Sequence, residues 1–362
     1  MAAAATPTLR RRAAEAGPPG VGDLVLGCSG LAGMFAPLPG GEPAAVGAVG
    51  AALELGARAF DSAPHYGLGL SEERLGAGLR AHGARGGAAA EVWTKVGRVL
   101  VDERADPDEW RLLHEPAEGG GHPEVEWANT RGHAGCIFPE TPAGRVPRLD
   151  YSAAGVRRSY EASVQRLGPG AGRLVGLRVH DCETEERAAA TLAPGGALEG
   201  LVSCRAPGRG RGSRADGVAS LGPDPARGRA GGPDLPVGAA IKSQVGLKAE
   251  GKIRSAGIGV NDPGFALRVL RGAPPGALDA VMIAGCWNLL DQSAYPLLLE
   301  CQARGVEVRC RMTLPPSLPE RVPPGACWAM PHATRSAASR ARSGRRVPAT
   351  AAPWPLRLSS PN

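Results

Sequence analysis

The feature that most constrains this chain is an alternation. A short run rich in Val, Leu and Ile is followed by a helical stretch and then by another such run, along most of the 362 residues. Seven runs have strand character: "DLVLG" at 23–27, "ARAFDS" at 57–62, "EVWTKV" at 91–96, "RLVGLRVH" at 173–180, "KIRSAGIGV" at 252–260, "LDAVMIAG" at 278–285 and "GVEVRC" at 305–310. Between them lie stretches such as "EPAAVGAVGAALELG" and "SAAGVRRSYEASVQRLG". In the second, Val156, Tyr160, Val164 and Leu167 share one face, and Ser152 is placed as the N-cap. Strands that alternate with helices predict a parallel sheet, because parallel neighbours can be joined only by a long crossover.

Two parallel architectures compete. A doubly wound sheet would carry a dinucleotide fingerprint in its first strand-to-helix turn, and "GCSGLAGMF" at 27–35 is not a GxGxxG pattern. Polar residues instead follow the C-terminal ends of several strands, where barrel enzymes place their chemistry. The expected fold is therefore a (β/α)8 TIM barrel. After 305–313 no eighth strand with its helix is visible, so the barrel is read as incomplete at its C-terminal end.

Charge divides the chain further. The net +7 is concentrated in residues 311–362, with eight Arg and one Glu, and in residues 204–240, with six Arg and three Asp. The rest is net negative. We expect a flexible N-terminus at 1–19, a barrel over 20–310 interrupted by a low-complexity insertion at 200–237, and a disordered Arg/Pro/Ala-rich tail at 311–362. Arginine without interleaved aromatics argues against a specific nucleic-acid partner. No apolar run approaches the roughly 20 residues of a membrane span, and "MAAAATPTLRRR" has no signal-peptide core, which points to the cytoplasm. The eight cysteines show no CxxC or Cys/His metal spacing, so free thiols and no metal are expected.

The polar residues gather in "FDSAPHYGLGLSEERLG" at 60–76 and at later strand ends. Asp61 and Tyr66 follow the second strand, Lys95 ends the third and His180 ends the fourth. In a barrel they converge on one mouth. Lysine is scarce here, occurring only at 95, 242, 248 and 252. A half-buried Lys95 needs a partner, and Asp61 can supply it. An ammonium beside Tyr66 favours the phenolate, fitting the residue for general acid or base work. Gly67 and Gly69 are read as turn residues, Ser71 as a helix cap, and Cys182, Cys286 and Cys301 as packing residues. Trp110, Trp127 and Trp287 either line the substrate mouth or pack in the core.

These stretches, with "EVWTKVGR", "LRVHDCE", "EGKIRSAGIGVND" and "VMIAGCWNLLDQ", resemble the aldo-keto reductase family in the correct order. The wording is most similar to the branch of L-galactose, L-fucose and D-threo-aldose dehydrogenases and pyridoxal 4-dehydrogenase. The resemblance implies hydride transfer between NAD or NADP and a sugar-like hydroxyl or aldehyde, without metal. It assigns proton transfer to Tyr66, tuning of that tyrosine to Asp61 and Lys95, and orientation of the substrate to His180. It also assigns the nicotinamide carboxamide to Asn261 and the approach to the ring to Gly27 and Cys28. The alternative is an impaired barrel that acts as a binding or regulatory protein.

Overall fold

The computed structural model describes residues 24–115, 122–202, 246–288 and 291–311. The expected flexible N-terminus, most of the 200–237 insertion and the tail beyond 311 lie outside the described residues. Residues 200–202 belong to the fold itself: they close helix α6 (Ala197–Val202), with Leu201 and Val202 in the core.

All seven expected strands form. They are β1 (Val25–Gly27), β2 (Ala59–Asp61), β3 (Glu91–Val96), β6 (Arg173–His180), β7 (Ser255–Val260), β8 (Ala280–Ala284) and β9 (Glu307–Arg311). They pair in parallel as one sheet, β1-β2-β3-β6-β7-β8-β9. Each strand lies beside the preceding member of the sheet, without the reversal of order that defines a doubly wound fold. Helices α1 (Gly41–Glu54), α2 (Leu70–Ala81), α4 (Ala153–Leu167), α7 (Pro263–Gly272) and α8 (Tyr295–Arg304) lie in the crossovers.

The sheet curls. In a flat sheet β3 and β9, four strands apart, would be about 19 Å from each other. The Arg309 guanidinium on β9 nevertheless lies 4.6 Å from the Trp93 ring centroid on β3. Among the described residues β1 pairs only with β2 and β9 only with β8, so the curled sheet is an open half-barrel.

Strand alternation sorts the side chains. Val92, Leu177, Val179, Ile258 and Val281 point outward into apolar clusters beneath the helices, each residue contributing about 1.5–3 kcal/mol by burial. Trp93, Lys95, Arg178 and His180 point to the concave side. Room for Trp93 depends on Gly176, since a Cβ there would meet the ring at 2.3 Å. A register shift at Val92/Trp93 places Gly176 opposite the tryptophan.

Between β3 and β6 the chain adds an antiparallel hairpin that the sequence reading missed, β4 (Arg98–Asp102) with β5 (Arg145–Leu149). Helix α3 (Pro107–His114) lies in its long connection, and α5 (Glu185–Leu192) follows β6. Trp110 and Trp127 pack on the apolar side of this hairpin, and Trp287 packs on the main core.

Two helix details differ from expectation. Ser152 caps α4 as expected, accepting from the Gly155 N–H at 3.0 Å, but Val164 is 42% exposed. The buried face runs through Val156, Ser159, Ser163 and Leu167, because small serines allow the close approach of neighbouring elements. Ser71 is not a cap. Helix α2 starts two residues earlier than a Ser71 cap would place it, with Gly69 at φ 93° as its N-cap, and the Ser71 hydroxyl is buried, donating to the Cys28 carbonyl at 2.7 Å. Gly67, at φ 62°, and Gly69 supply the left-handed turn positions expected of them. No described helix is long and apolar enough to cross a membrane.

Candidate active site

The C-terminal ends of β3, β6, β7 and β8 and the loop after β2 surround a small open cavity of about 20 Å³, lined by Tyr66, Lys95, His180, Asp181, Asn261 and Met282 among others. Asp61 lies beneath it. The Lys95 ammonium donates to Asp61 Oδ1 at 2.5 Å, to the Ser62 carbonyl at 2.8 Å and to the Tyr66 hydroxyl at 3.2 Å. Lys95 is 2% exposed, so it is fully buried rather than half-buried. The sequence-derived set of Asp61, Tyr66, Lys95 and His180 is thus brought together, with the Tyr66 and His180 rings edge to face at 6.1 Å.

Burial raises the proton affinity of Asp61, but Lys95 and Arg178 outweigh it and hold its carboxyl below the usual carboxylate range. For Lys95, burial works against the charge, and Asp61 followed by Tyr66 reverses it, so the ammonium is held above its usual range. Burial drives His180 well below the ordinary histidine range; Asp181 opposes this, whereas Arg98, Lys95 and His65 reinforce it. On balance these effects favour the neutral imidazole.

Three arrangements here were not read from the sequence. Arg178, fully buried two residues before His180, donates Nη1 to the second carboxylate oxygen of Asp61 and stacks on Trp93 at 4.0 Å. Asp61 therefore sits between two cations. The signal was available, since positions 178 and 180 must share a strand face, but arginine is too common in this chain to stand out. Arg98, from the hairpin, reaches His180 Nδ1 at 3.2 Å and Asp181 Oδ2 at 3.0 Å. It also grips Glu126 with Nε at 2.5 Å and Nη2 at 3.0 Å. His65 packs edge-on to His180 at 5.9 Å, and burial, reinforced by Arg98, pulls its pKa down to about 4. The corner after β6 is held by the Tyr151 hydroxyl, which donates to the His180 carbonyl at 2.7 Å, while Asp181 takes a left-handed φ of 47°.

The residues expected near a nicotinamide are placed unequally. Asn261 lies on the cavity, its backbone N–H and side-chain amide both donating to Glu183 Oε1, at 2.8 and 3.0 Å. Glu183 Oε2 is buried with no partner among the described residues, and Glu183 is not part of the cavity lining. Gly27 has open space next to it, whereas the Cys28 side chain is buried in an apolar cluster and is not part of the cavity lining. Of the three expected residues only Asn261 is part of the cavity lining. The resemblance puts phosphate and adenosine contacts in loops near the end of the barrel, for which the sequence shows no matching motifs, and residues beyond 311 lie outside the described residues.

A singly wound parallel half-barrel with an acid, lysine, tyrosine and histidine at its C-terminal mouth defines a class of α/β barrel proteins with a catalytic type of site. The chain belongs to the aldo/keto reductase family, whose model matches residues 24–321. It is 32% identical over 285 residues to pyridoxal 4-dehydrogenase of Microbacterium luteolum, covering 78% of this chain and 64% of that protein. It is 27% identical over 271 residues to D-threo-aldose 1-dehydrogenase of Pseudomonas sp, covering 75% and 59%. The chain thus spans somewhat under two thirds of the length of these curated relatives. An aldo-keto reductase from Bacillus halodurans, solved in its holo form, superposes with a TM-score of 0.43 at 18% identity, covering 82% of this chain and 70% of that one.

Proposed function

We propose that this chain is an NAD(P)-dependent oxidoreductase that transfers a hydride between nicotinamide and a sugar-like hydroxyl or aldehyde. One observation carries the reading: a buried ammonium, fixed by Asp61, donates directly to the Tyr66 hydroxyl at the edge of the cavity. Family membership and two relatives named as dehydrogenases support the same class. The six described cysteines are free, which supports the cytoplasm as its compartment.

The nicotinamide, when bound, supplies or accepts the hydride. The protein manages position and the proton. In reduction Tyr66 gives its proton to the substrate oxygen; in oxidation it takes the hydroxyl proton. Lys95 stabilises the phenolate left by the first step, and Asp61 keeps Lys95 charged and in place. His180 donates a hydrogen bond that orients the substrate oxygen. Asn261 would hold the carboxamide, with the Gly27–Cys28 backbone bordering the ring.

The test is nicotinamide absorbance during turnover of sugar-like and aldehyde substrates by the wild type and by Tyr66→Phe. The variant should lose about 100-fold to 10,000-fold in kcat, the usual worth of a positioned acid or base, while dinucleotide Kd stays unchanged. Near-normal turnover in the variant would refute the chemistry.

A further inference from the structure

We propose that Arg98 is a positioning residue that locks His180 in the tautomer bearing its proton on Nε2, so that the ring always offers a donor on the side away from Arg98. The proposal rests on the reading of His180 as the residue that orients the substrate oxygen, and it names what makes that possible.

The argument begins with donors and acceptors. A guanidinium has five N–H donors and no acceptor. The contact between Arg98 Nη1 and His180 Nδ1, at 3.2 Å, therefore requires a lone pair on Nδ1. A neutral imidazole has one proton, which must then reside on Nε2. Nε2 lies 3.5 Å from Asp181 Oδ1, too far for a strong competing bond, so its N–H remains usable by an oxygen in the cavity.

Arg98 cannot easily swing away. Its Nε and Nη2 form a two-pronged grip on Glu126, and Glu126 is itself held by Arg187 Nη2 at 2.6 Å. The Arg98 carbonyl accepts from the buried Ser159 hydroxyl at 3.3 Å. The Nε/Nη2 side of the guanidinium is thus anchored by Glu126, and the backbone of Arg98 by Ser159, neither of which lines the cavity.

Charge adds to the geometry. His180 is faced by Asp181 on its own strand end, by Lys95 from β3, by Arg98 from β4, and by His65 and Tyr66 from the loop after β2. Asp181 alone invites a second proton on the imidazole. Arg98 divides that carboxylate's attention by holding Oδ2 at 3.0 Å, and its own charge repels an imidazolium. Without Arg98 burial still disfavours the imidazolium, but no donor holds Nδ1 as the acceptor, and the ring should sample both tautomers.

The experiment is NMR of the full chain labelled with 15N-histidine, without dinucleotide or substrate, with His180→Gln assigning the signal. In the wild type, Nδ1 should show a pyridine-type and Nε2 a pyrrole-type resonance, unchanged from about pH 5.5 to 8. Arg98→Met, and Arg98→Met/Glu126→Gln in case the stranded carboxylate prevents folding, should instead show Nδ1 and Nε2 resonances averaged between the two types, the mark of mixed tautomers. The kcat/KM of each variant should fall with the population of the Nε2-protonated tautomer, while dinucleotide Kd stays unchanged. A wild-type His180 protonated on Nδ1, or charged at neutral pH, would overturn the proposal, as would variants whose histidine signal matches the wild type. Absence of turnover with the wild-type NMR pattern intact would strike at the oxidoreductase reading and leave the Arg98–His180 lock standing.

Discussion

The carboxylate of Asp61 is shared by two buried cations, and this makes Asp61→Asn a sharp test of the site's electrostatics. Asparagine is nearly the same shape, so no cavity forms. What changes is charge: Lys95, 2.5 Å away, and Arg178 on the other oxygen both lose their anion while fully buried. Removing one partner of a buried pair typically costs about 3–5 kcal/mol. The penalty should not double, because Lys95 can shed its proton whereas Arg178 cannot. We therefore expect Asp61→Asn to lose about 3–5 kcal/mol, a large part of the 5–15 kcal/mol that holds a typical domain.

The assay is urea unfolding, comparing midpoints at constant m. Adding Arg178→Met removes the stranded guanidinium and leaves an apolar chain on Trp93, so the double variant should be more stable than Asp61→Asn by about 2 kcal/mol. The pH dependence has a definite sign. The Asp61 carboxyl is held below its ordinary value of 3.8, so its contribution is full above that pH and is lost as the pH falls through the folded value. The gap between wild type and Asp61→Asn should shrink accordingly in acid. A loss under about 1 kcal/mol at neutral pH, or a double variant no better than the single, would refute the shared-anion account.

Three other outcomes follow from the same structure. Lys95→Met should lower kcat by about 100-fold, because the charge that develops on the Tyr66 oxygen during proton transfer loses the ammonium that faces it at 3.2 Å; near-normal kcat in a folded variant would break the link between the two residues. Burial tends to raise the Glu126 carboxyl, but Arg98 overrides this and holds it at about 2 against an ordinary 4.5. Its stabilisation, about 3 kcal/mol, should be full above pH 4.5 and vanish as the pH falls through about 2, so wild type and Glu126→Gln should converge over that window in acid unfolding curves. Gly176→Ala puts a methyl 2.3 Å from the Trp93 ring and should cost about 1–3 kcal/mol by overpacking, with a changed Trp93 environment in near-UV CD.

What the sequence disclosed, and what it hid, follows from the range over which each signal acts. The central strands β3, β6 and β7 were legible because each carries a buried apolar face within six to eight positions and has polar residues at or just past its C-terminal end. Asp61, Tyr66, Lys95 and His180 stood out for the same reason: each breaks an apolar run at its C-terminal end. The β4–β5 hairpin gave no such sign. Its strands meet at Asp102 and Arg145, 43 residues apart, so no tight turn announces the pairing, and Val99 and Val101 alternate over too few residues to assert a strand alone. Arg98 was therefore invisible as a partner of His180, although it follows Lys95 by three residues. Arg178 was hidden differently. Its strand was assigned and its face was implied by His180, yet a charged residue in the middle of an apolar run was not treated as a demand for a buried counter-ion. Had it been, Asp61 would have been short of charge for two cations, and the concave face of the sheet would have been recognised as a polar interior extending below the mouth.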